Sequence, residues 1–332
     1  MKISKNYSKP HVVIIGGATA TGKTSLSIKI ANDVISSGYK ACIINFDSML
    51  FYNELNIGTA KPSTDELQSV PHYLINIGSA KIPINSADFR KKAIKVIEKV
   101  YKDTLIVLVG GSAFYIRALI KGMYDNSDSL IPMPESITTS TSNVMNRDNL
   151  IDYLKTNDPN TLNFVHANDL YRLNRAYEFH KKTGKMFSEQ KVLQEKKFPY
   201  NFSKNNSVDW ELKIIYLEIE KNQHWKIIKL RTENMISEGL INEVQNLLDS
   251  CYDGTEKTLQ SIGYKQVVNF LKENKLSEKK ELEQLIEQIY IATRRLAKSQ
   301  KTFFNKIAPK TTMNALDIPN NFLRQERGEL FI

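Results

Sequence analysis

The stretch Gly17-Ala18-Thr19-Ala20-Thr21-Gly22-Lys23-Thr24 fits the pattern G-x-x-x-x-G-K-[ST], and its flanks decide the fold. Upstream, His11-Val12-Val13-Ile14-Ile15 is a short β-branched run that predicts a buried strand. Downstream, Ser25 to Ala31 carries apolar residues at helical spacing. Strand, glycine loop and helix, in that order, is the context that gives the motif meaning. Glycines let backbone N–H groups wrap a phosphate, and the helix N-terminus adds partial positive charge. Lys23 adds a full charge, and the Thr24 hydroxyl suits a Mg²⁺ ion on the same phosphates. A ligand carrying a diphosphate or triphosphate is expected; the motif alone does not say which.

Working outward, Ala41 to Phe46 and Leu105 to Val109 are two further strand candidates, ending at Asp47-Ser48 and Gly110-Gly111-Ser112. Ala87 to Lys102 and Ala113 to Lys121 read as helices. The alternation predicts an α/β fold: a P-loop-type parallel sheet core with helices on both faces. Ligands then belong at the carboxyl ends of the strands, where Asp47 and Gly110-Gly111-Ser112 share a rim with the phosphate loop. Most P-loop NTPases place an acid at the end of a hydrophobic strand to hold Mg²⁺. The strand 105–109 ends without one, leaving Asp47 as the rim acid, with a plain helix-capping role before Ser48 as the competing reading.

The 332 residues allow about two domains. Residues 1–122 form the first part of the core. A Ser/Thr/Asn-rich stretch at 124–147 reads as a linker or surface loop, residues 148–200 read as mostly helical, and an inserted helical domain is expected at 123–205. Residues 206–332 return to the core, with a strand at 208–217, helices including Leu230 to Leu248, and a glycine-centred turn at 260–265. Arg172 and Arg175 share one helix face, as an RNA grip or as a solvated basic face. From Arg294 to Lys310 there are six basic residues and no acid, with Phe303 and Phe304 interleaved. That mixture suits a phosphate backbone with base stacking, or else a basic helix end with core phenylalanines. A net charge of +10 favours a polyanionic partner, nucleic acid first. Two cysteines, Cys42 and Cys251, without metal spacing suit a reducing cytoplasm, and no signal peptide or membrane span is expected.

Several stretches together resemble one family, the tRNA dimethylallyltransferases, or tRNA isopentenyltransferases, over roughly residues 11–305. The phosphate loop, Asp47-Ser48-Met49-Leu50-Phe51-Tyr52, Asn56 to Pro62 (with Gly58-Thr59-Ala60-Lys61-Pro62), Pro71-His72 and Val109 to Tyr115 carry the likeness. So do Asn168-Asp169 with Arg172 and Arg175, Gly263-Tyr264, and Thr293-Arg294-Arg295 with Ala297-Lys298 and Gln300. The resemblance implies transfer of a dimethylallyl group from dimethylallyl diphosphate to N6 of an adenine next to the tRNA anticodon, with Mg²⁺, by a cytoplasmic monomer. It implies a diphosphate site at Gly17 to Thr24 with Arg231, and Asp47, Lys23, Thr24 and Ser112 as catalytic residues. It implies RNA contacts at Asp47, Ser48, Met49, Leu50 and Ser112, then at Tyr171, Arg172, Leu173, Asn174 and Arg175. Gln260, Ser261, Ile262, Gly263, Tyr264 and Lys265 follow, then Lys298, Ser299, Gln300 and Phe303. This chain departs from the family pattern at Ala18 (usually Pro), Ser112 (usually Thr), Ile227 (the first of two arginines four apart), Ser299 (Arg) and Phe303 (Trp). The phosphate loop alone leaves open a small-molecule kinase, a prenyltransferase of free adenine nucleotides, and an RNA-binding protein that keeps the loop for structure.

Overall fold

The computed structural model describes residues 7–122, 145–196, 199–273 and 279–317. The linker expected at 124–147 falls almost wholly outside them. Two compact units emerge, residues 1–121 with 206–332, and residues 122–205.

The first unit is built on a six-stranded sheet with order β3-β2-β4-β1-β5-β6. Its strands are β1 (His11–Gly17), β2 (Lys40–Asn45), β3 (His72–Tyr73), β4 (Thr104–Gly110), β5 (Glu211–Glu218) and β6 (Thr311–Asn314), all parallel. The central strands are buried on both faces, which is why they read as unbroken apolar runs. One face of β1, β2, β4 and β5 presents Val13, Ile15, Ile43, Val107 and Ile215 to Leu26, Ile30 and Val34 of α1 (Lys23–Ser36). The alternate residues Val12, Ile14, Ile44, Ile106 and Leu108 are equally buried on the other face.

The short α2 (Thr64–Ser69), α3 (Ser86–Val100) and α4 (Ala113–Lys121) complete the first segment. The returning segment adds α8 (Lys221–Ser237), α9 (Leu240–Asp249), α10 (Tyr264–Lys272) and α11 (Lys279–Phe304). The run 230–248 is two helices, broken at Gly239, whose φ of 102 lies in the left-handed region. Two strands carried no sequence signal. β3 has two residues, and β6 is the polar Thr311-Thr312-Met313-Asn314 at the sheet edge.

The second unit comprises α5 (Arg147–Asn157), a 3₁₀ turn at Pro159–Asn163, α6 (Leu170–Thr183) and α7 (Phe187–Lys196). Leu150, Leu154, Val165, Leu173 and Ala176 form its core. Asp158 is fully buried there and accepts from Thr161 Oγ1 (2.7 Å), Ser188 N (3.0 Å) and Ser188 Oγ (2.6 Å), so the carboxylate ties α7 to the 3₁₀ turn.

The last turn of α11 is locked against the sheet. Phe304 stacks on Tyr216 at 5.6 Å, and a Cβ at Gly16 would stand 2.4 Å from the Phe304 ring. Phe304 is therefore core, as the second of its two sequence readings had it. Phe304→Ala should cost about 3–5 kcal/mol, and Gly16→Ala about 1–3 kcal/mol by overpacking. In denaturant titrations the double variant should lose less than the sum, since the new methyl fills the vacated ring site. Simple additivity would contradict that packing.

Candidate active site

The phosphate loop is shaped from within and held from outside. Ala20 (φ 61) and Gly22 (φ 74) take left-handed backbone, turning the chain back toward α1. Thr21 Oγ1 donates to the Ala18 carbonyl (2.9 Å), and Lys23 Nζ donates to the same oxygen (2.5 Å). From outside, Thr19 N donates to Gln300 Oε1 of α11 (2.8 Å), while the Thr19 carbonyl meets His224 Nε2 of α8 (2.8 Å). The other end of Gln300 donates to the Gly111 carbonyl (3.1 Å), so one side chain bridges the loop and the end of β4. Gln300, expected to touch RNA, thus also positions the loop.

Asp47 follows β2. The buried Asn45 amide accepts from Asp47 N (2.8 Å) and donates to the Asp47 (3.0 Å) and Leu74 (2.9 Å) carbonyls. Asp47 Oδ1 in turn accepts from Met49 N (3.2 Å), capping the 3₁₀ turn Ser48–Phe51. The cap is thus real, and it fixes the carboxylate rather than consuming it, because Oδ2 remains directed at Gly111. A Cβ at Gly110 would meet Phe46 at 2.6 Å and Asp47 N at 2.8 Å; one at Gly111 would meet Gln300 Nε2 at 2.6 Å. That crowding explains why β4 ends without an acid: the end of β2 and the side chain of Gln300 already occupy the space. Ser112, next on the rim, is half-buried with its hydroxyl unengaged among the described residues.

Lys23, Asp47 and Arg231 form one charge cluster. Burial pulls the Lys23 ammonium down to about 8; Asp47 opposes this and Arg231 adds to it. Burial likewise lowers Arg231, against the pull of Asp47. Burial also lowers His224, with the like charges of Lys23 and Lys301 adding to it against its Thr19 hydrogen bond, so it stands neutral against the loop.

The residues that brace this cluster carry no local mark of that role. Arg231 donates to the Thr59 carbonyl (3.4 Å) of the Gly58-Thr59-Ala60-Lys61-Pro62 stretch. Glu243 of α9 holds that loop from one side, accepting from Asn56 N (3.0 Å), Ile57 N (2.8 Å), Gly58 N (3.3 Å) and Tyr264 Oη (2.6 Å). Lys61 holds it from the other, donating to the Tyr52 carbonyl (2.8 Å), Asn56 Oδ1 (2.8 Å) and Asn76 Oδ1 (2.6 Å). In sequence Glu243 looks like any surface acid on an amphipathic helix. Asn45 had one readable signal, a polar residue ending an apolar strand.

Of the other expected residues, Ser48, Met49 and Leu50 are half-buried beside Asp47. In 260–265, Gln260 and Lys265 are exposed and Ser261 and Ile262 half-buried, but Gly263 and Tyr264 are buried. Tyr264 serves Glu243, which corrects its assignment to RNA. Lys298 and Ser299 are exposed on α11, while the half-buried Phe303 has the Arg117 guanidinium 5.9 Å from its ring. In the helical unit, Tyr171 and Arg172 are exposed, with Arg172 paired to Asp169 at 3.2 Å. Arg175 lies over Phe187 and Asn174 is half-buried. Leu173 is fully buried, so its side chain packs the core and is not offered to a ligand.

Among the described residues, no three His, Cys, Asp or Glu side chains group as a metal site. The chain offers the Thr24 hydroxyl, unengaged within the described residues, at the head of α1. So sparse an oxygen set fits Mg²⁺, which keeps waters and takes phosphate oxygens as ligands, and does not fit a metal caged by protein.

Residues 50–307 match the IPP transferase family. A tRNA dimethylallyltransferase 2 of Geotalea uraniireducens is 32% identical over 315 residues, spanning 95% of this chain and 94% of the relative. A tRNA dimethylallyltransferase of Staphylococcus haemolyticus is 30% identical over 91% of this chain and 86% of its own length. The crystal structure of a tRNA delta(2)-isopentenylpyrophosphate transferase from Staphylococcus epidermidis superposes with a TM-score of 0.64 at 28% identity, covering 97% of this chain and 99% of its own. A eukaryotic dimethylallyltransferase acting on tRNA superposes at 0.74 and 23% identity, over 95% of this chain and 77% of its own, which speaks for the fold alone.

An anion beside Lys23 favours its charged form, so binding above about pH 8 requires proton uptake. Relative to Lys23→Arg, whose charge does not titrate, the affinity of the native protein for inorganic pyrophosphate should fall about tenfold between pH 7 and 9. Parallel pH profiles in calorimetry would show that Lys23 does not meet the anion. Separately, Glu243→Ala should cost about 1–3 kcal/mol in a denaturant titration, by leaving the part-buried Ile57, Gly58 and Tyr264 donors unpaired.

Proposed function

The chain belongs to the IPP transferase family, and on that premise we propose that it transfers a dimethylallyl group from dimethylallyl diphosphate to N6 of the adenine next to a tRNA anticodon. The observation that carries this reading is the Lys23–Asp47–Arg231 cluster: two cations for a leaving diphosphate and one fixed carboxylate, on a strand rim with no space for a second acid.

In the reaction a C–N bond forms between N6 and the allylic carbon as the C–O bond to diphosphate breaks. Lys23, Arg231 and the loop amides meet the charge that builds on the departing diphosphate. Thr24, with the phosphates, would hold a Mg²⁺ ion that would supply further charge stabilisation there. Asp47 accepts the N6 proton; the amine turns acidic only as the new bond forms, so an ordinary carboxylate suffices as base. Asn45 and the Met49 amide hold that carboxylate in place. Ser112, its hydroxyl unengaged among the described residues, hydrogen-bonds the base or the donor. The adenine leaves its stack to reach the rim, at a cost of a few kcal/mol.

The RNA is met by the exposed Lys298 and Ser299 on α11, Gln260 and Lys265 near α10, and Tyr171 and Arg172 on the helical unit, with the half-buried Arg175 beside them; that unit takes the anticodon arm. The protein acts as a monomer in the cytoplasm; no helix among the described residues is long and apolar enough to cross a membrane.

Incubation with labelled dimethylallyl diphosphate, Mg²⁺ and unmodified tRNA, followed by nucleoside analysis, should yield N6-dimethylallyladenosine. Asp47→Ala should keep RNA affinity and lower turnover at least about 10²-fold. Transfer of the ATP γ-phosphate with the prenyl donor ignored would mean a kinase instead, and full turnover by Asp47→Ala would remove the carboxylate from the mechanism.

A further inference from the structure

Ile227 stands where the family pattern has the first of two arginines, so α8 offers the diphosphate only Arg231. We propose that Arg294 of α11 supplies the second guanidinium to the departing diphosphate, an assignment that rests on the prenyl-transfer reading above.

Three observations converge on it. Arg294 lies on the stripe of α11 that faces the phosphate loop: Tyr290, four residues before it, and Ala297, three after it, pack with Ala18, Ala20 and Ile228. Its guanidinium carbon lies 3.6 Å from the centre of the Trp225 ring and 5.1 Å from that of the Tyr290 ring. Trp225 is the neighbour in sequence of His224, which touches the Thr19 carbonyl, so the arginine is braced by the helix that braces the loop. Finally, its Nε is buried without a hydrogen-bond partner, and no carboxylate within the described residues pairs with it.

A half-buried cation without a counter-charge is costly unless something outside the protein completes it. The aromatic rings orient the guanidinium and leave its N–H edge unspent. A planar fork held in this way is matched to phosphate oxygens, which it meets with paired, charge-assisted hydrogen bonds. Phosphate is the shared chemistry of the donor and of the RNA backbone. The packing of this stripe on Ala18 and Ala20 favours the donor.

The test uses the full-length protein, inorganic pyrophosphate with Mg²⁺ in calorimetry, and unmodified tRNA in a separate binding assay. Arg294→Gln should weaken pyrophosphate binding about 10- to 100-fold while tRNA affinity and melting temperature hold. Adding Ile227→Arg to that variant should restore part of the loss, which a merely structural arginine would not allow. Unchanged pyrophosphate affinity overturns the proposal. So does a loss confined to tRNA, which would make the RNA backbone its partner, or a pyrophosphate loss matched by a fall in melting temperature and not rescued at position 227. Native protein that binds pyrophosphate yet transfers no dimethylallyl group would refute the prenyl-transfer reading and leave this assignment to be judged on pyrophosphate alone.

Discussion

Two cations and one carboxylate share a rim that excludes much of the solvent around them. Lys23 and Arg231 are depressed by burial, and Asp47 alone offsets them. Such a cluster is unstable to small movements, because charge interactions strengthen as water is removed and lose their geometry as chains relax. Most of the polar contacts near the strand ends are explained by the need to hold it. Asn45 pins the backbone of Asp47, Gln300 joins the phosphate loop to β4, and Glu243 and Lys61 grip the loop that carries the Thr59 carbonyl to Arg231.

The sheet supplies the rigidity on which those contacts depend. β1, β2 and β4 are buried on both faces, so their carboxyl ends are fixed relative to one another. Phe304, stacked on Tyr216 above Gly16, anchors the end of α11, and one turn earlier the same helix delivers Gln300 to Thr19. A packing residue at the helix end thereby determines where a polar residue can reach. Reading Phe304 as a base-stacking side chain mistakes an anchor for a surface.

The site also shows how an apparent deficiency can be geometric. β4 lacks the terminal acid common to nucleotide-hydrolysing relatives of the phosphate loop because β2 and Gln300 fill the space beside Gly110 and Gly111. The carboxylate has moved to the end of the neighbouring strand, where it stands across the rim from the loop. On the proposed reading it takes a proton from the acceptor there, and the chain belongs to the IPP transferase family.

Much was legible from residues alone. Strand–loop–helix around Gly17 to Thr24 set the fold, because glycine spacing and apolar periodicity are local properties that few other structures satisfy. The rim position of Asp47 followed from topology, and the ordered set of short motifs pointed to the family. What the chain order could not reveal was partnership across long separations. Glu243 with the amides of 56–58, His224 and Gln300 with the two ends of the Thr19 peptide, and Tyr264 turned inward all depend on which helix faces which loop. A glutamate, a glutamine or a tyrosine carries no local mark of its distant partner. Only the packing of α8, α9, α10 and α11 decided which of them support the chemistry and which remain to meet a substrate.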